Sequence, residues 1–180
     1  DELGSPEGIA VVTASRFGDR DPLAAEDFER VVRTARDEID AIARFYTITL
    51  ESRGPHVADA LRAVADAPEG PLVVHCFVGK DRTGIVSALL LRLAGVPHDA
   101  VAEDYALSGP VVGPLVDDWI AAAEEEAERA FRRRVSAAPA EAMLRVLDTL
   151  ERRWGGAEGY LRELGLTDDE LARLRHRLAA

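Results

Sequence analysis

The stretch PLVVHCFVGKDRTGIVSALLLRLAG, residues 71–95, restricts the fold of this chain more than any other. Its opening run, PLVVHC, is apolar and too short for a helix, which predicts a strand buried on both faces. Its closing run, TGIVSALLLRLAG, is apolar nearly all round and ends at Gly95, which predicts a helix deep in the core, closed by glycine. Between the two lies a loop carrying lysine, aspartate and arginine, entered through a histidine and the sequence's one cysteine. Strand, tight polar loop and buried helix in that order predict an α/β protein, and ligand sites in such sheets gather at the C-terminal ends of strands. His75 and Cys76 are expected at that end.

Helical periodicity surrounds this unit. Phe28, Val31, Val32, Ala35, Ile39, Ile42 and Phe45 recur at mostly three- and four-residue steps, so one helix is predicted from about residue 24 to 50, with TITL as an alternative strand. Near the start, GIAVVT predicts a short strand. HVADALRAVADA predicts a second helix, stopped by Pro68, Glu69 and Gly70. After residue 95 every segment has helical character, so the C-terminal half is expected to be all helical. There VVGPLVDDWIAAAEEEAERAFRRRV is predicted as one long helix whose charged half is a solvated, ion-paired face. PAEAMLRVLDTLERRW should stop at Gly155 and Gly156, and Thr167 with Glu170 forms a capping box before the last helix.

The 180 residues suit one domain spanning 1–180, large enough to bury a core without disulfides. No apolar run approaches the roughly 20 residues that a bilayer span requires, so no transmembrane segment is expected. A formal net charge of −11 argues against a nucleic-acid partner bound through a broad basic face. One cysteine excludes an internal disulfide and a multi-cysteine zinc site, and the four histidines lack ligand spacing, so neither a metal nor another cofactor is expected. DELGSPEGIA has no basic start and no apolar region after it, so no signal peptide is visible and the expected location is cytoplasmic or secreted.

A cysteine that attacks a phosphoryl group must be a thiolate, its target must be held in line, and the equatorial oxygens must meet fixed donors. The loop offers these conditions. The five residues between Cys76 and Arg82 can curl their backbone N–H groups into an anion nest at the positive end of the following helix. Gly79 permits a positive φ, and Gly84 permits close packing where loop becomes helix. Arg82 matches two phosphoryl oxygens as a fork, which lysine cannot do. Thr83 can hydrogen-bond the sulfur and help it leave. His75 is expected to order the loop from behind; the plainer alternative is a satisfied histidine at a strand end.

HCFVGKDRTG resembles the HC-x5-R-[ST] signature of cysteine-dependent tyrosine and dual-specificity phosphatases, and its GKDRTG ending is similar to the bacterial tyrosine/serine phosphatase family in particular. VAEDYALS and the helical run after Met143 extend the likeness over roughly residues 40–178. The resemblance implies a phosphatase-like α/β fold with a small central sheet flanked by helices. It makes Cys76 the nucleophile, Arg82 the phosphate clamp, and the backbone of Phe77, Val78, Gly79, Lys80 and their neighbours up to Arg82 the cradle, with Thr83 and Gly84 closing the site. No Trp-Pro-Asp loop is present, so Asp81 is the expected general acid, with Asp19 and Asp21 as alternatives; the plainer role for Asp81 is a loop-bracing salt bridge to an arginine. Lys80 implies a phosphoinositide as a second substrate if it meets an additional phosphate, or else it is an exposed lysine. Tyr105, with Glu103 and Asp104, is expected to brace the loop.

The family's Asn-Phe-Arg-Asp-Leu-Gly-like stretch and its Asp-Leu-Arg strand are absent, so the expectation is either that the N-terminal strands are truncated or that a partner or a shortened sheet covers the gap. The expected reaction is hydrolysis of phosphotyrosine, with phosphoserine, phosphothreonine or phosphoinositide as further substrates, through a phosphocysteine. Two alternatives stand beside it: a phosphate-binding module without turnover, and a sulfur-transfer or arsenate-reducing enzyme.

Overall fold

A computed structural model describes residues 11–13 and 22–179. The described residues form ten helices and no strand: α1 (Pro22–Thr34), α2 (Glu38–Ser52), α3 (Gly54–Asp66), α4 (Asp81–Leu93), α5 (His98–Ala106), α6 (Ser108–Ala121), α7 (Glu126–Ser136), α8 (Ala140–Trp154), α9 (Ala157–Glu163) and α10 (Asp168–Ala179).

The expected α/β architecture with a small central sheet is therefore corrected. Residues 71–76 have no regular structure and exchange no backbone hydrogen bond with another described segment. Nor are they buried on both faces, since Val73 is 84% exposed and Leu72 is exposed beside it. The physical reason is that apolar, β-branched residues become a strand only when a neighbour satisfies their N–H and C=O groups. Among the described residues no such neighbour exists. The other two expected strands fare alike where they can be followed. Val11, Val12 and Thr13 are irregular and exposed, and the start of GIAVVT lies outside the described residues. TITL continues α2, where Thr49 Oγ1 donates to the Phe45 carbonyl at 2.9 Å and Leu50 is buried.

Two long helices expected from periodicity are each divided. The first breaks at Ala35–Asp37, where extended Asp37 caps α2 by accepting the Asp40 N–H at 2.7 Å. The second breaks between α6 and α7, at Ala122–Glu125. The stops read from glycine hold. Gly95 follows α4 with φ +84°, and the Val96 N–H returns to the Leu91 carbonyl at 3.0 Å. Thr167 and Glu170 form the reciprocal capping box, at 2.7 and 3.2 Å.

The main core is built from α2, α3, α4, α5, α8, α9 and α10. α4 justifies its apolar circumference by burying Ile85, Val86, Ala88, Leu89, Leu90 and Leu93. Around it stand Tyr46 and Leu50 from α2, Leu61 from α3, Met143 and Leu147 from α8, Leu161 from α9 and Leu174 from α10. A second cluster, Val32, Ala35 and Ala41 with Phe28, Phe131 and Val135, fastens α1 and α7 to α2. The charged face of α7 is ion-paired as expected, with Arg129 on Glu126 at 2.8 Å and Arg132 on Glu128 at 3.0 Å. No described helix is long and apolar enough to cross a membrane.

Candidate active site

The signature loop leads from the irregular segment 71–76 into α4, whose first residue is Asp81. Gly79 takes φ +76°, the left-handed conformation that favours glycine and turns the chain back toward Cys76. The Gly84 N–H donates to the Lys80 carbonyl at 2.8 Å, which closes the first turn of α4. A Cβ on Gly84 would stand 2.9 Å from the Tyr105 ring, so the missing side chain is what lets α5 lie against the start of α4. His75 is exposed, and its Nδ1 lies 2.9 Å from the Cys76 carbonyl, a bond in which the ring N–H donates. That bond to the next residue's carbonyl suits a histidine that orders the loop and a merely satisfied histidine alike.

Cys76 is half-buried and carries no disulfide. Burial pushes its thiol up, but hydrogen bonds from the Thr83 side chain and from the backbone N–H groups of Thr83 and Gly79, with the charge of Arg82, outweigh burial and bring the pKa from 9.0 down to about 7. Thr83 Oγ1 is buried and meets no hydrogen-bond partner at normal geometry, and its influence on Cys76 is seen in the lowered thiol pKa. Of the amides expected to form the nest, from Phe77 to Arg82, Gly79 acts on the sulfur, joined by the Thr83 N–H just beyond them. The Arg82 side chain is exposed, and no described residue holds it in a hydrogen bond or ion pair. Phe77 is 92% exposed, so its ring takes no part in the core. Val78 is half-buried.

Lys80 departs from both readings of it. It is only 1% exposed, and its ammonium donates to the Val135 carbonyl at 2.5 Å and the Ala137 carbonyl at 2.9 Å, with Asp81 Oδ1 at 3.3 Å. It is neither an exposed lysine nor a cation offered at the pocket mouth. Burial lowers its pKa, while the Asp81 carboxylate acts in the opposite direction. The signature lysine therefore ties the loop to the C-terminal end of α7.

Asp81 is half-buried, and its Oδ1 also accepts the Tyr46 hydroxyl at 2.9 Å. Its ion pair is with Lys80, where the plainer expectation named an arginine. Tyr46 is fully buried, and its hydroxyl lies 2.9 Å from that of Tyr105. Burial, with the charge of Asp81 next, raises the Tyr46 pKa well above its usual value, and burial raises that of Tyr105. Both phenols stay protonated. Tyr105 braces the loop as expected, whereas Glu103 and Asp104 are exposed beside it. Tyr46 was not singled out by sequence reasoning. Its signal was weak: a buried tyrosine needs a partner for its hydroxyl, but nothing within its own helix says which.

Asp19 and Asp21, the alternative acids, lie outside the described residues. A cavity of about 130 Å³ opens between the loop and the end of α5, lined by Gly79, Lys80, Thr83, Asp104 and Tyr105 among others. A larger hollow of about 740 Å³ lies between the end of α3 and α10 and includes no residue of the signature. The smaller one borders the signature through Gly79, Lys80, Thr83 and Gly84, while Cys76, Asp81 and Arg82 are not among its lining residues. No cluster of three or more His, Cys, Asp or Glu able to hold a metal occurs among the described residues.

A model of the tyrosine phosphatase family matches residues 5–180. The chain is 32% identical over 150 residues to a tyrosine-protein phosphatase of Nostoc commune, a match that covers 77% of this chain and 49% of that protein. It is 31% identical over 117 residues to the triple specificity protein phosphatase PtpB of Mycobacterium tuberculosis, covering 58% of this chain and 42% of that one. The chain therefore matches less than half the length of either relative.

Proposed function

This chain belongs to the tyrosine phosphatase family, and on that premise we propose that it hydrolyses phosphotyrosine in proteins through a phosphocysteine at Cys76. The observation that carries the proposal is a free, half-buried Cys76 at the start of a loop turned by left-handed Gly79 into the N-terminus of α4, where Thr83, Gly79 and Arg82 outweigh burial and lower its pKa to about 7. A donor set that stabilises one anion, the thiolate, suits a second, the phosphoryl group. In the first step the thiolate attacks phosphorus, the bond to the phenolic oxygen breaks, and that oxygen takes a proton from Asp81. Arg82 and the loop amides from Phe77 to Arg82 hold the equatorial oxygens as charge shifts across them. In the second step water attacks phosphorus, the S–P bond breaks, the water's proton goes to the Asp81 carboxylate, and Thr83 donates to the departing sulfur.

Phosphoprotein is the substrate class proposed. The argument for a phosphoinositide rested on Lys80 meeting a second phosphate, and the buried, carbonyl-bound ammonium removes its support. The test is hydrolysis of a phosphotyrosine peptide beside the same assay on Cys76→Ser. Turnover that vanishes in the variant supports the proposal. Turnover that survives in it places the nucleophile elsewhere, and well-folded protein without turnover favours a phosphate-binding module.

A further inference from the structure

Asp81 holds a terminal carboxylate at the first residue of α4, where nothing in its own helix fixes the orientation of its two oxygens. Two groups outside the carboxylate touch it. Tyr46 OH on α2 donates to Oδ1 at 2.9 Å, and Lys80 Nζ reaches the same oxygen at 3.3 Å. Because an ionised carboxylate only accepts, Tyr46 spends its one proton on Asp81, and the 2.9 Å contact to Tyr105 must be a bond donated by Tyr105. The chain runs from Tyr105 through Tyr46 to Asp81. It joins α5, α2 and α4, and the two rings pack edge to face at 5.8 Å. Oδ2 has no donor among the described residues.

We propose that Tyr46, backed by Tyr105, is a positioning residue for the general acid: by holding Asp81 through Oδ1 it makes Oδ2 the oxygen that carries the proton and presents it to the leaving group. The inference rests on the reading of Asp81 as the acid. With the Tyr46 hydroxyl bonded to Oδ1 and the Lys80 ammonium ion-paired against it, a proton on Oδ1 would face another proton and a positive charge, so protonation goes to Oδ2. When Oδ2–H passes its proton to the phenolic oxygen, that oxygen keeps the electron pair of the broken P–O bond. The carboxylate left behind is the form that Tyr46 and Lys80 bind best. A buried pair of neutral phenols on two helices packed beside α4 sets this orientation before substrate arrives, with no rearrangement at the moment of transfer.

The test measures kcat and KM on aryl phosphates whose leaving groups run from strongly activated to tyrosine-like, for the unaltered protein, Tyr46→Phe, Asp81→Asn and the double variant. General acid catalysis is worth roughly 100- to 10,000-fold, and it matters most for the poorest leaving group. Tyr46→Phe is expected to lose about 10-fold or more in kcat on the tyrosine-like phosphate, little on the activated one, and little in KM throughout. On top of Asp81→Asn it should cost nothing further, because the group it positions is gone. An equal loss on every leaving group, or a loss that adds in full to that of Asp81→Asn, overturns the inference alone. Asp81→Asn with no dependence on leaving group overturns the acid reading and this inference with it. If Tyr46→Phe does not fold, Tyr105→Phe keeps the Tyr46 bond to Asp81 and is expected to show the same pattern in weaker form; a uniform loss there overturns the inference too.

Discussion

At Cys76, burial and hydrogen bonding act against each other. Burial raises the thiol, while the Thr83 side chain, two backbone N–H groups and Arg82 lower it to about 7 from 9.0. A folded pKa below the unfolded one means that the thiolate's stabilising contribution is full above the unfolded value and is lost as pH falls through about 7. Alkylation of Cys76 by iodoacetamide should therefore rise with pH through about 7, and Thr83→Val should move that inflection toward the ordinary thiol value of 9.0. An unmoved inflection would remove Thr83 from the account. Arg82→Lys keeps the charge but not the fork, and kcat on a phosphotyrosine peptide should fall by about 100- to 1,000-fold. At this scale the sequence was informative where chemistry is local: the conformation of Gly79, the contact of Gly84 and the placement of Thr83 all follow from the loop's length and order. Lys80 and Tyr46 were not legible, because each finds its partners far along the chain, 35 residues away for Tyr46 and 55 for Lys80.

The elements were readable wherever a residue announces its own backbone. Asp37, Gly95, Gly155 and the Thr167–Glu170 box mark ends that the structure places as chemistry requires. Asp37 shows that the first long helix should have been divided there, since an aspartate followed by two acidic residues within three positions is an N-terminal signal. The break between α6 and α7 carries no Gly or Pro and had no such marker. PLVVHC failed for a different reason, because a strand is a property of two segments and periodicity describes one. Gly84→Ala tests the seam between α4 and α5. A methyl 2.9 Å from the Tyr105 ring must displace it, so stability should drop by about 1–3 kcal/mol in chemical denaturation, with kcat falling as the Tyr105–Tyr46–Asp81 chain shifts. Lys80→Met leaves the Val135 and Ala137 carbonyls without their donor and should cost a further measurable amount, about 1–3 kcal/mol.

Across the whole molecule, seven helices share one core, and the site sits where two of them, α4 and α5, leave it. The site is therefore only as ordered as that core. Leu161→Ala, on α9 and fully buried, should lower stability by about 2–5 kcal/mol. Because Leu161 lies in a different helix from every signature residue, the alkylation inflection of Cys76 should stay near 7 while the protein remains folded. α6 shows the opposite economy: it buries Val112 and leaves Leu107 just before it, and Val111, Leu115 and Trp119 within it, exposed at four-residue steps. Hydrophobic pattern alone predicted a helix there and said nothing about which side would be covered.

The central claim is that Cys76 becomes phosphorylated during turnover. It is tested most directly by acid-quenching the reaction with a phosphotyrosine peptide within the first turnovers and mapping phosphate by mass spectrometry. The expected result is phosphate on the peptide that contains Cys76, and none there in Cys76→Ser. Turnover with no phosphate on Cys76 at any quench time, together with continued turnover in Cys76→Ser, would contradict it.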